Sequence, residues 1–232
     1  MTSSNFGEDD QLFHHCVITQ FNLRNFDIGI PFDLDTWVNW TRVRIVLFET
    51  YCLPSCLRQT NKEFCWLIFL DKETPEEFRP FLDRIAQHSF IQLCYSDGAA
   101  DFYENHLSVV KQSLPETTRW VITSRVDNDD CIHEDFIATI QSRARPYHGY
   151  LVSLASGYIL DINSNKMSHY YYPMSPFISL VETTKKPMEG IFSRIHTQWA
   201  PLRLWMGKEL WLHYFVKNRR VADFVLRKTL WI

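Results

Sequence analysis

Trp120-Val121-Ile122-Thr123-Ser124-Arg125-Val126-Asp127-Asn128-Asp129-Asp130 is the stretch whose reading settles the fold class. Its opening residues, Trp120 to Thr123, are an apolar run of the kind a buried strand requires. The run gives way to Asp127, Asn128, Asp129 and Asp130, so three carboxylates crowd into four positions. Carboxylates this close repel one another unless water or a cation screens them. Their oxygens suit hard cations such as Mg2+ or Mn2+. A strand that delivers carboxylates at its C-terminal end also fits the ligand crevice of an open α/β sheet. Two readings follow: a metal site for a phosphate-bearing substrate, or a solvated acidic turn in which Asn128 or Asp130 caps the next helix.

The strands on either side have the same character. His15 to Phe21 reads as a first strand that runs into the polar residues Asn22 and Arg24. Phe64 to Leu70 is a nearly continuous apolar run, as a central parallel strand should be, and it ends at Asp71. Phe90 to Tyr95 is a third strand. Helical segments alternate with these strands. Asp33 and Asp35 offer caps to a helix carrying Trp37, Trp40, Leu47 and Phe48, tryptophans that read as core. Pro54 starts a short helical turn at 55–59. Thr74-Pro75-Glu76-Glu77 reads as a capping box with proline at the first helical position. Asp101 caps a helix that ends at Pro115, and His133 to Arg143 reads as another. Strand and helix alternating four times predict a parallel, doubly wound sheet with right-handed crossovers.

The pattern changes after Gly149. Tyr150 to Ala155 reads as a strand. Tyr158 to Ile162 and Met167 to Tyr172 flank Asn163-Ser164-Asn165-Lys166 as a hairpin would. Ser175 to Val181 is a further strand, and residues 183–200 are irregular. The tail, with Trp205, Trp211, Tyr214, Lys217, Arg219 and Arg220, reads as a packed helix or as a contact with a membrane or partner chain.

Composition sets the remaining bounds. With 232 residues, 46% hydrophobic and 15% aromatic, the chain can bury one sizeable core and is not a disordered polymer. A formal net charge of -3 offers no basic field for nucleic acid. No apolar run is long enough for a transmembrane helix, and Met1 to Gln11 has no signal-peptide core. The six cysteines form no CxxC pair and read as buried, reduced thiols, which points to the cytoplasm. Only 7 glycines are present, and there is no GxGxxG or Walker loop. A bound phosphate must therefore be neutralised by a metal and side chains and not by a glycine nest.

Taken in order, these motifs resemble a bacterial rhamnosyltransferase family with the glycosyltransferase-A fold. The resemblance runs from about His14 to Val221. It is carried by His15 to Arg24, Trp37, Arg44, Leu47-Phe48-Glu49, Leu53-Pro54-Ser55, Gln59, Phe64-Cys65-Trp66-Leu67, and Asp71 with Thr74-Pro75. Arg125 to Asp130 and Pro176-Phe177-Ile178-Ser179-Leu180 continue it, with a weaker echo in Trp211-Leu212 and Asn218. It implies one α/β domain over residues 1–232 with a Rossmann-type, mostly parallel sheet. The nucleotide-sugar half would span about 14–130, and an acceptor-side half of hairpin and helix about 131–232.

The implied activity is a metal-dependent glycosyltransferase. It would move a sugar, rhamnose by the family's name, from a nucleotide-diphosphate sugar to a glycan or glycolipid in surface-polysaccharide assembly. Asp127 and Asp129 match the family's Asp-x-Asp element, which bridges a divalent metal (Mn2+ or Mg2+) and the diphosphate. Asp71 matches the second-strand Asp that contacts base or ribose, and Thr19, Asn22 and Arg24 would lie beside the nucleotide. The family carries His a few residues beyond the Trp-Leu pair, whereas this chain reads His213-Tyr214-Phe215-Val216. The third metal ligand is therefore open between His196 and His213.

For the chemistry, Arg125 is a candidate phosphate contact or an ion-pair partner of the acidic turn. Glu182 and Glu189 are candidate general bases for an inverting transfer, or ordinary surface and cap carboxylates. Tyr170, Tyr171, Tyr172 and Trp199 could stack on an acceptor sugar or pack in the core. The competing functions are a sugar-phosphate nucleotidyltransferase, disfavoured by the absence of glycine in Gln20 to Phe26, and a catalytically inactive sugar-binding scaffold.

Overall fold

In the computed structural model, which describes residues 13–26, 32–161, 164–171, 175–199 and 226–227, alternating apolar runs and capped helices build an α/β sheet. β1 (Phe13–Gln20) leads to α1 (Leu34–Leu47), a π-helical turn and the short α2 (Leu53–Leu57). β2 (Cys65–Asp71), α3 (Arg79–Ile85), β3 (Ile91–Ser96), α4 (Gly98–Gln112), β4 (Trp120–Arg125) and α5 (Phe136–Arg143) follow in turn. The chain continues through β5 (Tyr150–Ser153), the hairpin β6 (Ser156–Asp161) and β7 (Lys166–Tyr171), and β8 (Ile178–Thr183). A two-residue strand, β9 (Leu226–Arg227), pairs parallel to β6. The tail expectations at Trp205, Trp211, His213, Lys217, Arg219 and Arg220 lie outside the described residues, as does Tyr172.

The main sheet has the order β3-β2-β1-β4-β8-β5. β1 pairs in parallel with both β2 and β4, and β2 with β3. β8 inserts antiparallel between β4 and β5, so five strands run one way and one runs against them. This is the single-domain, mostly parallel sheet implied by the resemblance. The hairpin forms the smaller sheet with Asn165 in the left-handed turn conformation (φ 51°).

Each strand alternates its side chains between two faces. Val17, Trp66, Ile68 and Ile122 join Phe48 of the π-turn, Phe81 and Ile85 of α3, and Phe136 and Ile140 of α5 in one core. Cys16, Ile18, Leu67, Phe69 and Val121 join Phe102 and Val110 of α4, Phe192 and Trp199 in the other. Burial on both faces explains why these strands read as continuous apolar runs.

Local chemistry sets the element ends, with one correction. Asp33 caps α1 by accepting from Thr36 N–H at 2.7 Å, as its sequence position predicts. Thr74 does not cap a helix. Its hydroxyl donates back to the Asp71 carbonyl at 2.5 Å and a 3-10 turn, Glu76–Phe78, follows. The α-helix starts only at Arg79, where Pro80 fits the first turn because no N–H is needed there. At α4, Gly98 has φ +75°, and an added Cβ would stand 3.2 Å from the Arg24 carbonyl oxygen. Glycine lets the chain pass close to the loop that follows β1.

The switch in strand order lies between β1 and β4, because the chain builds outward to β3 and then returns to the other side of β1. A buried hydroxyl fixes this seam. Thr19 Oγ1 accepts from Trp66 Nε1 at 2.9 Å and donates to the Val126 carbonyl at 2.6 Å. A second buried chain, His15 Nε2 to Ser124 Oγ (2.7 Å) to Ser179 Oγ (2.6 Å), crosses β1, β4 and β8. Burial pushes the His15 pKa down to about 3, so this imidazole stays neutral.

Thr19→Val keeps the shape but strands a buried indole N–H and a buried carbonyl. The expected cost is about 2–4 kcal/mol in urea unfolding, and an unchanged midpoint would show that the hydroxyl does not hold the seam.

Candidate functional site

The crevice at this switch point is a cavity of about 500 Å³. Its walls come from three places. Gln20, Phe21, Leu23, Asn25 and Phe26 belong to the end of β1 and its loop. Asp33, the cap of α1, and Thr36, Trp37, Trp40 and Arg44 along the helix line the second wall, with Phe32 just before them. Arg125 and Asp127 come from the end of β4. A mostly apolar cleft with a few convergent polar groups is the usual form of a small-molecule site.

The acidic turn lies across the floor as a network. Asn128 is buried and donates to the Phe21 carbonyl at 2.7 Å, which locks the β4 loop to the β1 loop. Arg125 grips Asp127 with Nε and Nη2 at 3.0 and 3.2 Å. Arg44 reaches from α1, its Nε donating to Asn128 Oδ1 at 2.6 Å and its Nη1 to Asp129 Oδ2 at 2.8 Å. Each guanidinium also lies over an aromatic ring, Arg44 over Trp40 at 5.4 Å and Arg125 over Phe192 at 5.3 Å. Burial opposes the charge on Arg125, but Asp127, with Asp130 and Tyr103 beyond it, holds its pKa above the ordinary guanidinium value.

Four residues expected beside the nucleotide serve the framework. Thr19 is buried and fully engaged in the seam described above. Asn22 donates to Thr74 Oγ1 at 3.1 Å, and its Oδ1 accepts from the Asp71 N–H at 3.1 Å. Asp71 is buried and accepts from Arg24 N at 2.9 Å, Arg24 Nε at 2.8 Å and Glu73 N at 2.9 Å. Arg24 also reaches Asp97 at 2.7 Å. These bonds shape the β1 loop that forms one wall of the crevice.

The candidate bases lie elsewhere. Glu182 sits opposite Val121, four residues before Arg125 and so about 13 Å along the strand from it. Its carboxylate is buried and accepts the N–H groups of Glu189 (2.7 Å) and Gly190 (2.9 Å). Glu189 is therefore tied to the same level; its side chain is exposed and pairs with Arg194 at 3.1 Å. The structure does not bring either carboxylate to the acidic turn. His196 opens a short 3-10 turn, and its side chain lies outside the described residues. Trp199 is buried with its Nε1 donating to the Ile191 carbonyl at 3.2 Å, whereas Tyr170 and Tyr171 are exposed on β7.

Carboxylate oxygens are the right donor type for Mn2+ or Mg2+. As folded, however, Asp127 offers both oxygens to Arg125, and Asp129 offers one to Arg44. Among the described residues, no third His, Cys, Asp or Glu atom converges with them; the cluster that does converge is His14, Cys16 and Cys65. A divalent ion at the turn would displace these guanidiniums from Asp127 and Asp129 and complete its shell with water and substrate phosphate oxygens, as Mg2+ usually does.

Sequence reading missed the wall formed by α1. Trp37, Trp40 and Arg44 fall at helical spacing on one face, a pattern that a core helix shares. Trp37 is indeed buried, but Trp40 is exposed to the crevice and Arg44 spans it.

With this geometry in view, the family description "Putative rhamnosyl transferase" matches residues 38–200, well over half of the chain. The chain belongs to this family of glycosyltransferases. A comparison with curated protein sequences gives no significant match. Two solved structures share a distant likeness. TarS of S. aureus is 13% identical with a TM-score of 0.32, covering 64% of this chain, which spans about a fifth (21%) of TarS. The inositol-1-phosphate CTP transferase of T. maritima is 10% identical with a TM-score of 0.32, covering 94% of this chain and 86% of that one. At these scores neither likeness carries an argument. No helix among the described residues is long and apolar enough to cross a membrane.

The placement of Glu182 has a consequence for stability. Burial pushes its pKa above the ordinary carboxylate value, against the pull of the two N–H groups it accepts. The folded state then binds more protons than the unfolded state, so this group's contribution falls as pH rises from about 4.5 through its higher folded value. Glu182→Gln removes the titration. Urea unfolding from pH 4 to 7 is expected to show the wild type losing stability relative to the variant as pH rises, and a constant difference would contradict the burial.

Proposed function

We propose that this protein is a glycosyltransferase that binds a nucleotide-diphosphate sugar in the crevice between β1, α1 and β4 and transfers the sugar to a glycan or glycolipid acceptor. The observation that carries the reading is a pair of guanidiniums, Arg125 on Asp127 and Arg44 on Asp129, beside an aromatic wall at the strand-order switch. Rhamnose is the sugar suggested by the family's description.

Cleavage of the anomeric C–O bond puts growing negative charge on the departing diphosphate. Two guanidiniums held in place are suited to it, because planar, charge-assisted contacts to phosphate oxygens are the strongest hydrogen bonds such a site can make. In this reading Arg44 and Arg125 exchange their carboxylate partners for diphosphate oxygens when the donor binds. Phe26, Phe32 and Trp40, all exposed and lining the cavity, pack on the base or the sugar. The acceptor's proton passes to a carboxylate lining the crevice, Asp33 or Asp127. The divalent ion expected from the Asp127–Asp129 spacing belongs to the same proposal, since that exchange of arginine partners releases both carboxylates. Action in surface-polysaccharide assembly, a cytoplasmic location and a membrane or assembly-complex contact belong to the same reading.

Calorimetric titration of UDP, GDP, dTDP and CDP, each in Mn2+ and in EDTA, tests this with wild type and Arg44→Ala. One nucleoside diphosphate should bind, and Arg44→Ala should weaken it about 10- to 100-fold, the loss of one charge-assisted contact. Binding only in Mn2+ would restore the metal-bridged arrangement. No binding by the folded wild type would sink the transferase reading.

A further inference from the structure

At the far end of the sheet from the crevice, β1 and β2 bring a second cluster together. Cys16 and Cys65 are register partners on adjacent parallel strands, and their sulfurs lie 3.2 Å apart. His14 precedes Cys16 by two residues, so its side chain leaves the same face of β1. One ligand atom from each of the three residues lies within 4.8 Å of the others. His14 Nε2 is buried and has no hydrogen-bond partner. A buried nitrogen left in that state is costly and calls for an explanation.

We propose that His14, Cys16 and Cys65 form a binding site for a thiophilic d10 cation, Zn2+ in the first instance. Two thiolates and one imidazole are a donor set suited to zinc, with bond lengths of about 2.3 Å to sulfur and about 2.0 Å to nitrogen. Ligand atoms around such an ion stand roughly 3.3–3.8 Å apart. The sulfurs need therefore separate by only about half an ångström from 3.2 Å, and the widest gap must close by about 1 Å. Rotation of Cys65 and His14, both only half-buried, supplies that movement and leaves a path for the ion. Two thiolate charges balance the dication, so the filled site is neutral in a largely buried setting.

The fourth position faces the end of α4. Ser113 Oγ stands 3.9 Å from Cys16 Sγ and donates to the Val110 carbonyl, so its oxygen keeps a lone pair for a ligand on the ion. The ion would pin β1 to β2 where the sheet begins, away from the transferase crevice, which makes the role structural.

The test uses the full chain with reduced thiols. Equilibrium dialysis with Zn2+ should give one bound ion per chain and a higher Tm. Co2+ in its place should show the sulfur-to-metal absorption band of thiolate ligation. Cys65→Ser and His14→Ala, each checked for a native circular dichroism spectrum, should lose the ion and the band; both side chains are partly exposed, unlike that of Cys16. Failure of the reduced wild type to bind, retention of stoichiometric metal by both variants, or recovery of the protein with Cys16 and Cys65 already joined as a disulfide would each overturn the proposal.

Discussion

The structure depends on one buried hydroxyl. Thr19 joins the indole of β2 to the carbonyl of Val126, the first residue after β4. Its two bonds span three adjacent strands at the point where the strand order reverses. The backbone follows the same seam, with Val126 N–H donating to the Ile18 carbonyl at 3.2 Å. Asn128 then ties the acidic turn to Phe21, and Trp37 Nε1 ties α1 to the Asn22 carbonyl at 2.8 Å. All three walls of the crevice are thus fixed to one another through buried hydrogen bonds. The walls of such a site need not be reordered when a ligand enters, and only the two guanidiniums would change partners under the proposed function.

That seam explains a division of labour among the polar residues. Those at the ends of β1 and β2 (Thr19, Asn22, Asp71) are buried and saturated by protein partners. They hold the loop. The charged groups presented to the cavity instead come from α1 with its cap and from the end of β4, with Gln20 and Asn25 beside them. The carboxylate of Glu182 behaves as the first group does, shaping the 189–190 turn that leads to Phe192 beneath Arg125. A polar residue at a strand end is therefore as much a part of the frame as a ligand contact, and burial decides between the two.

What the sequence made legible follows the same physics. The central strands could be read because burial on both faces leaves an uninterrupted apolar run, and Trp66 to Leu70 is one. α1 could be placed from Asp33 because a cap is a contact between near neighbours in sequence. The insertion of β8 could not be seen. Ile178 to Thr183 is buried throughout, and neither its direction nor its partners leave a mark on its composition. The Thr74-Pro75 signal misled because the Thr74 oxygen accepts from the Asn22 amide and not from a helix N–H, and the α-helix starts at Arg79, four residues after Pro75. Arg44 was visible as a residue but not as part of the site, since its partners Asn128 and Asp129 lie 84 and 85 positions away.

The two arginines also change how the acidic turn should be understood. Three carboxylates in four positions suggest a cation, and the fold does supply positive charge there. It comes from side chains: Arg125 two residues upstream, and Arg44 from α1. A guanidinium bound to a carboxylate can pass to a phosphate by exchanging one planar, charge-assisted contact for another of the same kind. The exchange changes the energy little, so it confers little selectivity by itself. Selectivity must come from the parts of the ligand that have no such competitor. In this crevice those are the parts that meet the exposed rings of Phe26, Phe32 and Trp40, of which Trp40 already carries the Arg44 guanidinium and Phe32 packs against Trp37. Under the proposed function the arginines would admit a diphosphate, and the aromatic wall would decide which one stays.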